Sequence, residues 1–404
     1  MKNARSNPLL DSGKPLFFEV ANPEDLGLAP PPIRRGEAVR VCVRSLSGMQ
    51  KEALAIAARS GRVWRLASDE GAYLAGLNEA PCPLSFLTTG MVSSYMSEIV
   101  ALAKVRDIEL REIRLIQDNY YTMEGSALKG TMTGGAKDVA LTAQIASTAD
   151  RDTLTKLVVD ATAASPLNGL MRGAKESLFT LTHNGREIDP ARAHRLGRGA
   201  EPDPGDRFAE AEPAPGDWSW IVRRGGMTPK AEHTVTLAND SLAEHQSRLL
   251  HVRGICTLRD DGVKEIEQQL FNPHGSTFYF LCDEAREDAE PSRAPDAASY
   301  ISAGIGFCFM TQFGRYAQIA KKDLKQYRIL QDTHFSLGGA ADGTGKAGEA
   351  DPVETHVYLD TGEGDDFART ALDMAEQTCF LHAFCRTDLK VKVAIQKLDH
   401  HAQH

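Results

Sequence analysis

The chain has no surplus of positive charge, no unbroken apolar span and no even complement of cysteines. Its 46 Lys+Arg against 55 Asp+Glu leave a formal net charge of −9. That balance excludes the broad basic face a nucleic-acid binder presents to phosphates. The clusters Arg34–Arg35 and Arg223–Arg224 are too short to change it and read as solvated linker charges. Met1 to Lys14 is polar and lacks the apolar core of a secretory signal. The most apolar stretch, Leu84 to Val105, carries Ser85, Thr88, Thr89, Ser93, Ser94, Ser97 and Glu98. That polar load reads as a buried helix, not a membrane span. Seven cysteines, an odd number, do not make a secreted disulfide framework. The expectation is a cytoplasmic protein with reduced thiols, in which a specially placed cysteine is a chemical candidate. No Ser-His-Asp arrangement and no His-Glu-x-x-His run stands out. The glycine-rich pieces Met132-Thr-Gly-Gly and Leu337-Gly-Gly-Ala lack a phosphate loop's Lys-Ser/Thr and read as turns. His400, His401 and His404 read as a frayed tail.

What the chain does have is length and self-similarity. Its 404 residues, 42% hydrophobic and 25% charged, suit a soluble globular protein of two or three domains. Shifted by 214 positions, the sequence falls on itself without a gap over roughly 140 residues. Cys42 lands on Cys256, Gly61 on Gly275, Asp69-Glu70 on Asp283-Glu284, Ser85 on Ser299 and Gly90 on Gly304. Further along, Arg114 lands on Arg328, Gln117-Asp118 on Gln331-Asp332 and Gly125 on Gly339. A period that long is a duplicated domain and not a solenoid.

Each half repeats one pattern. Strand-like runs (Val39–Val43, Val63–Leu66; Gly254–Leu258, Thr277–Leu281) precede a long helix. In the first half Leu84, Leu87, Met91, Tyr95, Ile99 and Leu102 mark that helix at three-to-four spacing; its counterpart runs from about Ala298 to Lys322. Two more strands follow, around Ile113–Gln117 and Val139–Ile145, then Tyr327–Gln331 and Thr355–Leu359. A second helix opens on a capping box at Ser147-Thr-Ala-Asp150 and ends at Ser165-Pro166. Strands Ser177–Leu181 and Leu389–Ile395 close the halves. The fold class expected is α+β, each half an antiparallel sheet packed with two helices, one of them long and central. The expected division is an N-terminal extension over 1–36, a first domain over 37–188, a Pro/Gly-rich linker over 189–232, a second domain over 233–397 and a tail over 398–404. Trp218 and Trp220 in the linker imply that part of it docks on a domain. Ala285 to Arg293 reads as a polar insert within the second half.

A cysteine in the middle of the long helix, Cys308 in Tyr300-Ile-Ser-Ala-Gly-Ile-Gly-Phe-Cys-Phe, is followed some seventy residues on by Cys379 in Ala375-Glu-Gln-Thr-Cys-Phe. That order and spacing resemble the OsmC/Ohr family. In the first half, the helix start Pro83-Leu-Ser-Phe-Leu and the helix exit Ala164-Ser-Pro support the same resemblance. The resemblance covers most of both halves, and it implies an intramolecular pseudo-dimer with the long helices crossing at its centre. It further implies reduction of organic hydroperoxides, one cysteine being oxidised to a sulfenic acid and the other resolving it as a disulfide. The implied partners are a small hydrophobic substrate and a thiol or dithiol reductant, with no nucleic acid, membrane or cofactor and with homo-oligomers allowed. Cys379, near a helix C-terminus that disfavours a thiolate, suits the resolving role, which leaves Cys308 as the nucleophile.

The 214 offset puts Ser94 on Cys308 and Ser165 on Cys379. Serine forms no sulfenic acid, so the first half is expected to be redox-inert at those positions. It then either serves structure alone or supplies residues to a shared site. Family peroxidases carry a glutamate ten residues before the first cysteine to orient an activating arginine. That position is Ala298 here, with Asp296 two residues earlier, and Arg248 and Arg253 are the candidate arginines. Two other readings stand beside this one: a cysteine-dependent reaction on a sulfur-containing or conjugated substrate, and binding of a hydrophobic ligand or partner. A zinc site of Cys379, His382 and Cys385, with Cys308 in reach, is a rival, although on one helix those positions fan over about 120°. Cys42, Cys82, Cys256 and Cys282 read as packing residues.

Overall fold

The computed structural model describes residues 6–230, 241–284 and 293–398. The insert at 285–292, the boundary at 232/233 and the histidine-bearing tail lie outside the described residues. In chain order the elements begin with α1 (Pro8–Asp11), β1 (Phe18–Glu19), β2 (Gly36–Ser45), β3 (Lys51–Ala57), β4 (Val63–Ser68) and the long helix α2 (Pro83–Val105). Then come β5 (Glu112–Ser126), β6 (Thr133–Ala136), β7 (Val139–Ala146), α3 (Arg151–Ala164), β8 (Leu178–His183) and β9 (Arg186–Ile188). The second half adds β10 (Val222–Met227), β11 (His245–Leu258), β12 (Lys264–Asn272), β13 (Ser276–Cys282) and the long helix α4 (Ala297–Ala320). It closes with β14 (Leu324–Ser336), β15 (Glu354–Thr361), α5 (Asp365–Thr378), α6 (Phe380–Arg386) and β16 (Val391–Lys397).

This is a mixed α+β fold with two large sheets, and each sheet draws strands from both halves of the sequence. One runs β1-β4-β3-β2-β14-β15-β8-β9; the other runs β10-β13-β12-β11-β5-β7-β16, with β6 added on β5. The joins are long antiparallel ladders, β2 on β14 and β11 on β5. Arg40 of β2 clamps the first join through two 2.8 Å bonds to the buried carboxylate of Asp332 on β14. The sheets are not purely antiparallel, as the sequence pattern suggested. β8 pairs parallel to β15, and β16 parallel to β7. Each of these closing strands crosses, through the helical segment before it, to the other sheet, where it lies beside a strand of the other half.

The core lies between the sheets. α4 packs on β2, β3 and β14, α2 packs on β5, β11 and β12, and the two helices pack on each other. Both are buried on nearly every face, so their serines and threonines lie in the core with the apolar side chains. Phe86 of α2 sits at the centre, 5.1 Å from Phe307, 5.5 Å from Phe280 and 6.2 Å from Tyr300 between ring centroids. The crossing needs glycine. A Cβ on Gly90 would stand 2.6 Å from the carbonyl oxygen of Ala297, and one on Gly304 would stand 2.9 Å from the amide nitrogen of Leu87.

Local expectations fare unevenly. Asp150, not Ser147, caps α3, accepting from the Thr153 amide at 2.7 Å. The Ser147 hydroxyl bonds the Ala149 amide at 3.1 Å instead. Met132-Thr-Gly-Gly is more than a turn, because Thr133–Ala136 pairs with β5 as β6. In the 189–232 segment, Trp218 packs edge-on against Trp64 at 5.9 Å, and Val222–Met227 forms β10 on β13.

Candidate functional site

Cys308 sits midway along α4, surrounded by the core, 2% exposed. Cys379 is fully buried at the break between α5 and α6, in an extended conformation (φ −70°, ψ 119°) that ends one helix and begins the next. The fold makes the two thiols neighbours, close enough that each feels the other's charge, and both are free. Cys379 is the N-cap of α6, its sulfur accepting from the His382 amide at 3.4 Å. The Phe380 and Leu381 backbone amides lie near the Cys308 sulfur and favour its thiolate. The C-terminal position inferred for Cys379 is therefore half the picture. Both sulfurs face the amide-rich first turn of α6, so the helix-end argument no longer separates their roles.

Burial pushes the Cys308 thiol well above its ordinary range, and the neighbouring Cys379 adds to the rise. The Leu381 and Phe380 amides oppose it. The resting group is thus a protonated thiol that needs help to ionise. Lys51, fully buried on β3, is a nearby cation; burial lowers its pKa, while Glu70, Asp69 and Cys308 hold it up. Glu70 accepts from Tyr73 Oη at 2.8 Å and from Thr311 Oγ1 at 3.1 Å. Thr311 lies one turn past Cys308, so this carboxyl is tied to the cysteine-bearing helix. Burial raises the Glu70 pKa against the pull of Lys51.

A cavity of about 30 Å³ opens beside Cys308, bordered by Cys82, Glu70, Arg248, Arg315 and Phe380 among others. It has room for on the order of two water molecules. Cys379 is not part of its wall.

Of the residues singled out from sequence, Cys308, Cys379 and Arg248 come together here. Arg253 does not. It is bound to Asp118 at 2.8 and 3.0 Å and lies over the Phe271 ring. Asp296 caps α4 through the Ser299 amide at 2.6 Å, and neither it nor Ala298 borders the cavity. The zinc arrangement is not formed: among the described residues no group of three or more His, Cys, Asp or Glu side chains is placed to hold a metal. The His382 ring packs instead on Phe309 and Phe179, at 4.6 and 5.6 Å. Burial there pushes its pKa down to about 3, so it is neutral. Arg315, Glu70, Lys51 and Cys82 were missed as site residues. Only Arg315 had a readable signal, since seven residues after Cys308 is the same helical face.

The serine positions mirror the cysteines. Ser94 Oγ and Ser165 Oγ are 2.7 Å apart, and Ser165 ends α3 in the same extended conformation (φ −60°, ψ 126°). One turn past Ser94, Glu98 accepts from the Ala340 and Ala341 amides. Burial pushes its pKa up to about 7. A carboxyl raised on folding binds its proton more tightly in the native state, so it costs stability as pH rises from the ordinary carboxyl range through 7. Glu98→Gln should therefore raise Tm more at pH 8 than at pH 5. Equal shifts at the two pH values in thermal melts would contradict this.

Glycines hold both junctions. A Cβ on Gly134 of β6 would lie 2.6 Å from the Thr378 carbonyl oxygen, and one on Gly348 would lie 1.8 Å from that of Ser165. Gly134→Ala is expected to cost about 1–3 kcal/mol and to slow oxidative joining of Cys308 to Cys379. Denaturant melts and a timed thiol count after mild oxidation would read both.

Residues 289–394, which include both cysteines, match the family model described as OsmC-like protein. No curated protein sequence matches the chain. Among solved structures, the chain is similar to the crystal structure of an OsmC-like hydroperoxide resistance protein from Jannaschia sp. CCS1. The identity is 20%, over 38% of this chain and 99% of that one, with a TM-score of 0.24.

Proposed function

We propose that the protein is a thiol-dependent peroxidase acting on organic hydroperoxides, with Cys308 as nucleophile and Cys379 as resolving cysteine. The observation that carries the reading is the position of the pair. Two thiols are neighbours, and of the two only Cys308 borders the cavity through which a substrate would arrive. The match of 289–394 to an OsmC-like family supports a peroxide-related role.

In the proposed cycle the Cys308 thiolate attacks the terminal peroxide oxygen. An S–O bond forms and the O–O bond breaks. Sulfur loses two electrons, and the alkoxide leaves as the alcohol on taking a proton. Cys379, as thiolate, then attacks the Cys308 sulfenic sulfur; an S–S bond forms and hydroxide leaves as water. An external thiol or dithiol reduces the disulfide by exchange. Lys51 and the amides of Phe380 and Leu381 would stabilise the thiolate that burial alone disfavours.

We further propose that 37–188 and 233–397 are two copies of one unit, joined by the 189–232 linker and paired as an intramolecular pseudo-dimer. Supporting this, α2 and α4 begin 214 positions apart, as do α3 and α5, and the Ser94–Ser165 pair stands where the offset puts Cys308 and Cys379. On this reading one of the two sites has lost its thiols, and the inert copy lends Lys51, Glu70 and Cys82 to the other, besides the shared sheets and crossed helices.

Fully reduced protein mixed with cumene hydroperoxide should consume about one equivalent per chain without added reductant and lose two thiols. Peptide mapping should find Cys308 joined to Cys379. Protein that consumes no peroxide and forms no such disulfide would sink the reading.

A further inference from the structure

Tyr121 of β5 is fully buried, and among the described residues its hydroxyl has no hydrogen-bond partner. A buried tyrosine ordinarily finds one, because a buried hydroxyl that bonds nothing is costly. Tyr95 bonds Asn168 at 2.7 Å, and Tyr300 bonds the Leu281 carbonyl at 2.8 Å. The Tyr121 ring lies 5.8 Å from that of Phe380, the residue after Cys379, and its backbone pairs with Leu250 of β11. Phe380 and Leu250 both border the cavity beside Cys308. The phenol is close enough to four thiols to feel the charge each would carry, that of Cys308 most, then those of Cys82, Cys379 and Cys385. Burial and these sulfurs hold its pKa well above the ordinary range, so it keeps its proton even near a thiolate.

The 214 offset puts Tyr121 on Phe335, which is as deeply buried. Their surroundings correspond. Tyr121 pairs with Ala136, two residues past the Gly134 that packs on the Thr378 carbonyl. Phe335 pairs with Ala350, two residues past the Gly348 that packs on the Ser165 carbonyl. Packing alone would be served by phenylalanine in both places. The hydroxyl is present where the fold holds thiols and absent where it holds serines. We infer that the Tyr121 hydroxyl serves the resolving step: it donates to the oxygen that Cys308 carries once oxidised and holds that oxygen as it leaves. The inference rests on the peroxidase reading and adds to it a residue lent by the first half. While Cys308 is a thiol, the donor has nothing to bond; attack on the peroxide puts an oxygen on the sulfur and gives it a partner. When Cys379 then attacks, the S–S bond forms and the S–O bond breaks, its electron pair leaving on oxygen. The proton lost by the Cys379 thiol ends on that oxygen, which departs as water, and the phenol keeps its own. A neutral donor aimed at growing negative charge is worth more in a buried site than in water. Because it is unpaired beforehand, Tyr121 breaks no other bond to act.

The test follows the two steps separately in the full chain, reduced and then given one equivalent of cumene hydroperoxide. Tyr121→Phe loses one oxygen and no hydrogen bond, so it should melt no lower than the parent. Its peroxide should disappear at the parent's rate. Its disulfide should form at least about 10-fold more slowly, a modest share of what removing one donor to a developing oxyanion costs. Dimedone added with the peroxide should therefore label Cys308 strongly in Tyr121→Phe protein and weakly in the parent. Resolution as fast as the parent's overturns the inference and leaves the peroxidase standing. Equal slowing of both steps overturns it too, since disturbed packing around the sulfurs would act on both. Parent protein that consumes no peroxide rejects the peroxidase and this role together.

Discussion

Cys308→Ser should lower hydroperoxide turnover by about 10³-fold or more, the scale seen when a nucleophile is removed, and Cys379→Ser should stop it after one equivalent. The two outcomes differ because the two sulfurs do different work. A serine at 308 has no low-lying oxidation to a sulfenic acid and no base to ionise its hydroxyl, so the first step is lost. A serine at 379 leaves that step intact. Peroxide is then consumed once, and the oxidised Cys308 persists until an external thiol reaches it through the small cavity. A sulfenic-acid trap should label Cys308 in Cys379→Ser protein and label nothing in Cys308→Ser protein. Labelling at Cys379 in the latter would reverse the assigned roles. The fold carries its own control for misfolding. Its other long helix holds Ser94 in contact with Ser165 at 2.7 Å, so the same surroundings already accept a serine pair. The double variant Cys308→Ser, Cys379→Ser should therefore fold, with a stability change within about 2 kcal/mol of zero.

How much of this was legible in the sequence follows from the range of the interactions involved. The first long helix was readable from apolar residues at three-to-four spacing, and the second as its counterpart in the repeat. The nearness of Cys308 to Cys379 was legible through spacing and resemblance, since each cysteine sits at a fixed place in its helix. β3 was not. Lys51-Glu-Ala-Leu-Ala-Ile-Ala is buried throughout, so it shows no alternation, and its Lys, Glu, Ala and Leu are good helix formers. Tertiary pairing with β2 and β4 overrides that preference. Glu70 and Lys51 were silent for a related reason: they reach the site only because β3, the loop after β4 and α4 pack together, a contact between distant segments. The strand at Gly134 shows how a local rule fails. Two glycines in a row read as a turn, yet the structure uses Gly134 because a bare Cα fits against the Thr378 carbonyl.

Gly90→Val should lower stability by at least about 3 kcal/mol and Tm by roughly 5–10 °C. Two terms of opposite sign compete. Glycine in a helix interior is up to about 1 kcal/mol worse than alanine in backbone terms, so a side chain there gains a little from propensity. Against it, the new Cβ would stand 2.6 Å from the Ala297 carbonyl oxygen and 3.0 Å from the Ile301 amide nitrogen. Both are backbone atoms of α4, which cannot swing aside as a side chain does. Valine adds two methyl groups at the same point, so α2 and α4 must separate, and the Phe86 cluster loses its packing with them. Gly90→Ala, with the Cβ alone, should cost less but remain destabilising. Cys308 lies one turn beyond Gly304 on the same crossing, so separation of the helices should also carry its sulfur away from Cys379. The expected signature is thus a lower Tm together with slower disulfide formation on mild oxidation. A Tm unchanged in Gly90→Val would mean that the close crossing of α2 and α4 does not hold the core as described.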